Sequence, residues 1–320
     1  SITCWMSKEQ LAKLESGKNY LENYAALVGE KSSQQYTKEM EEYNCAYQHW
    51  LKSTEEVKQK DPQASWKEIH KICGECPWPQ PVGWQSPFRP NGLHETMIRR
   101  IAPYSLRGFL YYQGEEDVQR YADYSDMMLM LVKQWRMDWN DWNLPFLFVQ
   151  LPMYLADGEK DDSYWALQRE QQYIASMMIQ NAGMISLADC GEYDNIHPLD
   201  KKTPGERLFQ LAKNLVYDKQ GTITATAAQL FSDNGKLYVT FDHLHEKLVM
   251  QTANGCPFEI SGEDNLFYPA KADVIHGNML CISNPAVKFP SAVKYAWYNF
   301  GEAVLFTESG NPVSPFFKCV

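Results

Sequence analysis

The hydrophobic and polar positions change period three times along the chain. Between about residues 8 and 75 the sequence is rich in Lys and Glu, with apolar side chains at steps of three or four. Tyr36, Met40, Tyr43, Tyr47 and Leu51 share one helical face. Asp61-Pro62 interrupts the pattern and Trp66 to Ile72 resumes it, so the spacing predicts a helical hairpin, either a solvated decoration of the main domain or a lid over it. Repeated Pro in Cys76-Pro-Trp-Pro-Gln-Pro-Val-Gly-Trp84 predicts an irregular connection.

From Leu93 onward, short apolar runs alternate with amphipathic stretches. Strands are expected over 107–112, 144–151 and 184–188, and helices over about 121–135 and 164–180. The second strand is continuously apolar, as expected when both faces of a sheet are covered. Thr203-Pro-Gly-Glu206 reads as a capping box opening a last helix, continued by Leu208, Leu211, Ala212 and Leu215. Strand, helix, strand, helix at this spacing predicts a parallel α/β sheet. After Asp218 the runs become alternating, β-branched and aromatic, as in Lys236-Leu-Tyr-Val-Thr-Phe241, the run 294–298 and Glu302-Ala-Val-Leu-Phe306. Turns are expected at Asp233-Asn-Gly235 and Ser309-Gly-Asn-Pro312. The expected organisation is an α/β domain over 1–218, with a helical insertion at about 8–75, and a β-sandwich module over 219–320.

Composition narrows the function. The 320 residues are 44% hydrophobic and 13% aromatic, ample for sizeable cores, and the formal net charge of −10 argues against nucleic acid or an anionic membrane as partner. No apolar run is long enough to span a bilayer. The eight cysteines are spread irregularly, and Cys73-Gly-Glu-Cys76 has no second pair to make a metal or redox motif. Reduced thiols in a cytoplasmic setting are therefore expected. The chain opens on Ser1-Ile-Thr without an initiator Met, so the true amino terminus is expected upstream. Any export signal would lie there, and a secreted location is the alternative. His243 and His245 beside Asp242 have strand spacing and are expected to be surface residues rather than zinc ligands; no metal or cofactor is called for.

Two segments carry chemistry. Leu106-Arg-Gly-Phe-Leu-Tyr-Tyr-Gln-Gly-Glu-Glu116 ends an apolar strand in a Gln-Gly-Glu, which supplies amide donors and an acid. Tyr193-Asp-Asn-Ile-His-Pro198 places Asp194 three residues before His197, a spacing in which a carboxylate orients an imidazole as general base. Both follow strands of the expected parallel sheet, where active groups collect. No nucleophile motif of the Gly-x-Ser-x-Gly, Gly-Asp-Ser or Gly-Gln-Ser-Asn type accompanies them.

At this point the chain resembles the sialate O-acetylesterases, a branch of the SGNH/GDSL-type carbohydrate esterases. Cys4-Trp-Met-Ser7, Arg107-Gly-Phe-Leu-Tyr-Tyr-Gln-Gly-Glu115, Trp135-Arg136, Leu144-Pro-Phe-Leu-Phe-Val-Gln150, Trp165 and Arg169-Glu170 match blocks of that family in order. So do Asn195-Ile-His-Pro198 with Lys201, Gly205, Arg207 and Leu208, and then Lys294-Tyr-Ala-Trp297 and Ser314-Pro-Phe316. Glu116-Asp117 departs from the family's common Ser-Asn. The resemblance implies an SGNH-type, flavodoxin-like parallel sheet with helices on both faces, and serine-esterase chemistry on acetylated sugar. His197 would be the general base, Asp194 its orienting carboxylate with Asp189 in reserve, and Gln113 the oxyanion donor or a strand-end hydrogen-bonding group. Glu115 would brace the loop or contact a sugar hydroxyl. Arg169 and Arg207 would bind a substrate carboxylate or pair with Glu170 and Glu206. Tyr111, Tyr112 and Tyr154 would stack on sugar or fill core. The family's nucleophile belongs to a segment upstream of Ser1, so the α/β domain is expected to be incomplete and this chain inactive by itself, with an amino-terminal fragment of the same protein as its partner. The block match gives Ser1 itself another place. A non-catalytic carbohydrate-binding or scaffold protein and an acetyl-xylan-type deacetylase are the alternatives.

Overall fold

The structure, a computed structural model, describes residues 1–252 and 254–320. It forms two compact units, each from two chain segments: residues 1–104 with 130–142, and residues 105–129 with 143–320.

The first unit is helical: α1 (Lys8–Leu11), α2 (Glu15–Val28), α3 (Ser33–Lys60), α4 (Trp66–Cys73) and α5 (Arg99–Ile101). Local chemistry sets the ends of α3 and α4. Ser32 Oγ accepts from Gln35 N at 3.1 Å to start α3, which stops at Asp61. Ser65 and Glu68 cap each other's backbone reciprocally at the start of α4. The apolar face of α3 departs from expectation at its end. Trp50 is buried, while Leu51 is 37% exposed. Tyr43, Tyr47, Trp50 and Trp66 form a continuous ring stack with centroids 5.9, 6.2 and 6.4 Å apart, and Trp50 Nε1 donates to Gly74 O at 2.9 Å. Trp50, three residues after Tyr47, stays on the stacked face; Leu51 lies about 100° further round the helix.

The second unit holds a parallel sheet of β1 (Phe109–Tyr111), β2 (Phe146–Gln150) and β3 (Ala182–Ser186), in that spatial order. A 3₁₀ stretch, Glu115–Asp123, leads from β1 into α6 (Tyr124–Asp138), whose later part belongs to the first unit. The helices α7 (Tyr164–Met178) and α8 (Lys202–Leu215) follow β2 and β3 and flank the sheet. Leu147, Val149, Ile185 and Leu187 pack on Leu208 and Leu211 of α8. Gln172 of α7 spans the main chain of the other side, donating to Val149 O at 3.1 Å and accepting from Leu151 N at 2.8 Å. Every residue of β2 is buried, which explains its unbroken apolar pattern. The start of α8 differs from the expected capping box. Thr203 lies inside the helix, and Asp200 Oδ1 accepts from both Lys202 N (2.9 Å) and Thr203 N (3.0 Å). The carboxylate of Asp200 satisfies the first amides of a helix that starts earlier than a Thr203 cap would place it.

Residues from 226 onward form an antiparallel module within the same unit, so the expected boundary after 218 marks a change of element type there. The strands are β4 (Thr226–Asp233), β5 (Lys236–Asp242), β6 (Leu248–Met250), β7 (Phe258–Ser261), β8 (Tyr268–Pro269), β9 (Lys271–Ile275), β10 (Met279–Ser283), β11 (Ala292–Tyr295), β12 (Leu305–Thr307) and β13 (Phe316–Cys319). They form sheets ordered β4-β5-β10-β9 and β13-β11-β7-β8, plus the pair β12-β6. Leu237, Val239, Ile260, Leu280, Ile282, Val293 and Tyr295 share one core. The Asn234-Gly235 turn has positive φ at both residues (49° and 72°), the twist that a tight hairpin demands. The strand expected over 294–298 ends at Tyr295, because Ala296 adopts φ 48° and breaks the ladder. Among the described residues no helix is long and apolar enough to cross a membrane, and no group of three or more His, Cys, Asp or Glu is placed to hold a metal ion. Among the described residues no cysteine is joined in a disulfide.

Candidate active site

The Gln113-Gly-Glu115 turn leaves β1 and the His197 loop leaves β3, both at carboxyl ends of parallel strands in the second unit. Lys201 brings the two together. Its Nζ lies 5.3 Å from the centroid of the Tyr112 ring, and its charge acts on both Glu115 and His197. Glu115 is desolvated, which pushes its carboxyl above the ordinary range. Its own backbone amide, that of Gly114 and Lys201 pull the other way, while Asp117 adds repulsion. Tyr112 is likewise driven up by burial and by the negative charge of Glu115, so it remains a neutral phenol.

The His197 loop is built by neighbours that the sequence does not single out as chemistry. Glu192 accepts from Asn195 Nδ2 and from Leu199 N, both at 2.6 Å, and buried Asn195 Oδ1 accepts from His197 N at 3.1 Å. This Asx turn sets the backbone of His197 while its side chain stays at the surface. Partial desolvation of the ring, then Lys201, lower the His197 pKa, so the neutral imidazole that a general base needs is favoured. Asp194 sits in the left-handed region (φ 59°); its N donates to Leu155 O and its Oδ1 accepts from Asp157 N at 2.9 Å. It therefore moors the loop to the segment after β2. The reserve carboxylate, Asp189, is clamped by Arg207 in a two-pronged pair, both contacts 2.7 Å. Arg207 thus pairs with Asp189, and Glu206 lies 3.7 Å from Lys202. Cys190, between these groups, is pushed up to about 12, first by burial and then by Asp189, which leaves it an unreactive thiol.

Gln113 is bonded on both sides of its amide. Its Oε1 accepts from Tyr111 OH (3.0 Å) and Tyr124 OH (3.2 Å), and its Nε2 donates to Asp117 Oδ2 (2.7 Å). Tyr111 is buried beneath it. Tyr154 packs against Trp165 with centroids 5.1 Å apart.

Arg169 is 1% exposed. Its guanidinium donates to Tyr298 O, and burial lowers its pKa to about 10 against the pull of Tyr298 and Asp161. That placement is interior and props the backbone of the β module, away from the surface position that direct contact with a substrate carboxylate requires. Asn299, which no sequence pattern marked, completes the prop. Its N donates to Asp161 Oδ2 (2.8 Å) and its Nδ2 to Asp162 Oδ1 (2.9 Å). Its Oδ1 accepts from Trp165 N (3.0 Å) and its O from Tyr154 N (2.9 Å). Sequence separation of more than 130 residues hides such a clamp from any local pattern.

Comparison with known proteins gives the chain a family likeness. Residues 81–213, which contain both strand-end segments, match the family model described as carbohydrate esterase, sialic acid-specific acetylesterase. The likeness is to the sialate O-acetylesterase family of carbohydrate esterases. The mouse (Mus musculus) sialate O-acetylesterase is 27% identical over 260 residues, covering 72% of this chain and 47% of that protein. The human (Homo sapiens) sialate O-acetylesterase is 25% identical over 208 residues, covering 59% and 39%. A crystal structure of a carbohydrate acetylesterase from Xanthomonas citri superposes with a TM-score of 0.66 at 32% identity, over 71% of this chain and 53% of that one. The chain spans about half the length of the family members it matches or less. The family is one of carboxylic ester hydrolases acting on acetylated carbohydrate.

Proposed function

We propose that the chain is part of a serine esterase that removes O-acetyl groups from sialic acid, and that the nucleophilic Ser lies on sequence outside these 320 residues. The observation that carries the reading is the meeting of the Gln113-Glu115 turn and the His197 loop around Lys201, with an accessible imidazole held in its neutral form. In this reading the serine hydroxyl attacks the acetyl carbonyl and His197 accepts its proton. The tetrahedral intermediate places negative charge on the former carbonyl oxygen. Gln113 Nε2 donates one N–H to Asp117, and its second N–H is assigned to that oxyanion. Collapse of the intermediate expels the sugar hydroxyl, to which His197 returns the proton; water then repeats the sequence on the acyl-enzyme. Asp194 holds the loop that carries His197, Glu115 and Tyr112 face the sugar, and Arg169 supports the site from inside rather than by touching substrate.

The test is acetate release from O-acetylated sialic acid and from an aryl acetate. The product of the whole gene is expected to be active and this chain by itself inactive. His197→Ala in the whole product should lower kcat by about 10³-fold; activity close to wild type would remove His197 from the mechanism. The likeness to the Xanthomonas citri carbohydrate acetylesterase supports a second reading, in which the acetylated sugar belongs to another polysaccharide. Acetylated xylan as a competing substrate separates the two.

A further inference from the structure

Beside the His197 loop, inside the second unit, lies a cavity of about 290 Å³ that the mechanism does not use. One wall is the turn after β3, with Asp189 and Gly191. The other comes from the β module, with Gln251, Phe300, Glu302 and Phe306. A smaller hollow of about 200 Å³, lined by Cys256, Pro257 and Tyr298, shares Gly301 and Glu302 with this groove. We propose that this groove is a binding subsite for a neutral pyranose residue of the glycan that carries the acetylated sugar. The proposal rests on the esterase reading for its biological setting, but its chemistry is local.

Three features define the ligand. The first is size: the cavity lies at the small end of ligand pockets, which run from about 300 to 1,000 Å³, and suits a single sugar ring. The second is lining chemistry. Phe300, half-buried, offers an aromatic surface for the C–H face of a pyranose. Its ring meets Tyr193, four residues before His197, edge-on with centroids 5.5 Å apart. A sugar held on Phe300 is therefore next to the catalytic loop. Acceptors surround it. Glu302 takes bonds from Asn254 N (2.8 Å) and Nδ2 (2.9 Å), one per oxygen, and each oxygen keeps a further lone pair for a sugar hydroxyl. Third is charge. The described lining residues include two carboxylates and no Lys, Arg or His. Arg207 already neutralises Asp189, whereas Glu302 is bonded by the uncharged Asn254. An anionic sugar is thus repelled, while a neutral polyol donates to the same oxygens.

The wall is preorganised. Asn299, buried between Tyr298 and Phe300, is held by four hydrogen bonds, and Arg169 holds Tyr298 O. Tyr298 OH in turn donates to Glu302 O across the loop. On the opposite side, an added Cβ at Gly191 would lie 2.1 Å from Met153 O, so only glycine allows that turn its position. Binding then costs little ordering entropy.

Saturation-transfer NMR on the 320-residue chain tests this, with the methyl glycosides of glucose, galactose and xylose as probes and N-acetylneuraminic acid as the anionic comparator. Transfer to at least one neutral glycoside is expected, with binding weakened about tenfold in Phe300→Ala and reduced in Gln251→Ala, near-UV circular dichroism being unchanged. The surface position of Gln251 keeps the test valid if Phe300→Ala fails to fold. The proposal is overturned by absence of transfer to all three neutral probes, by transfer that neither variant alters, or by N-acetylneuraminate transfer that Phe300→Ala abolishes. None of these readouts involves ester cleavage. A failed His197→Ala result would therefore sink the esterase reading and leave the subsite standing, and the converse also holds.

Discussion

His197 shows how two forces of the same sign act on one residue. Partial desolvation and the Lys201 ammonium both disfavour the imidazolium, so the acid limb of the kcat/KM profile should fall below the ordinary His value of about 6.5. Replacing Lys201 by Ala removes one of the two causes, and the limb should move up towards that value; a limb that stays in place would exclude Lys201 as its determinant. Glu115 is shifted in the other sense. Its folded pKa lies above the unfolded one, so the fold prefers the neutral acid. Its contribution to stability is intact below the unfolded pKa and is lost as pH rises through the folded value. Glu115→Gln should therefore raise Tm at pH 8 and leave it nearly unchanged at pH 4, as read by thermal melts at the two pH values. Asn299→Ala leaves Trp165 N–H without its acceptor in the interior and should cost about 2–3 kcal/mol by denaturant titration.

Elements followed the sequence closely wherever the signal was local. The parallel strands, the helix stop at Asp61 and the Asn-Gly hairpin all rest on neighbours within a few residues. Departures came where another partner or another backbone state won. Trp50 displaced Leu51 from the buried face because Trp66 and the Gly74 carbonyl were there to receive it. Thr203 lost the cap to Asp200, and β11 stopped at the left-handed Ala296, turning an expected strand into the loop that carries Tyr298 and Phe300. Two substitutions probe this scale. Ser65→Ala should destabilise by about 1 kcal/mol through loss of the cap. Gly191→Ala should cost about 1–3 kcal/mol, because a main-chain carbonyl and not a yielding side chain occupies the space; both are checked by urea denaturation.

Across the second unit, the α/β sheet and the β module are joined by buried polar contacts: Arg169 to Tyr298, Asn299 to the start of α7, and Gln150 to Ser314 at 2.8 Å. Groups of this kind are satisfied only when both parts are present. Residues 219–320 expressed separately should therefore lack the fixed near-UV circular dichroism of a packed core, and in the longer chain sheet and module should melt in one transition. Two separate calorimetric peaks for residues 105–320 would contradict this.

Hydrophobic period and local turn chemistry were enough to predict a parallel α/β sheet followed by an antiparallel module, and strand-end placement was enough to bring Gln113 and His197 forward as candidates, since each of those signals is written within one element. The sequence could not reveal that Asp194 moors its loop to Asp157, that Arg169 faces inward under Tyr298, or that Asn299 pins a wall of the groove beside His197. Those assignments depend on which of several competent partners lies within about 3 Å once the chain has folded. Hydrogen-bond choice among distant residues is decided by packing, and packing leaves no period in the sequence.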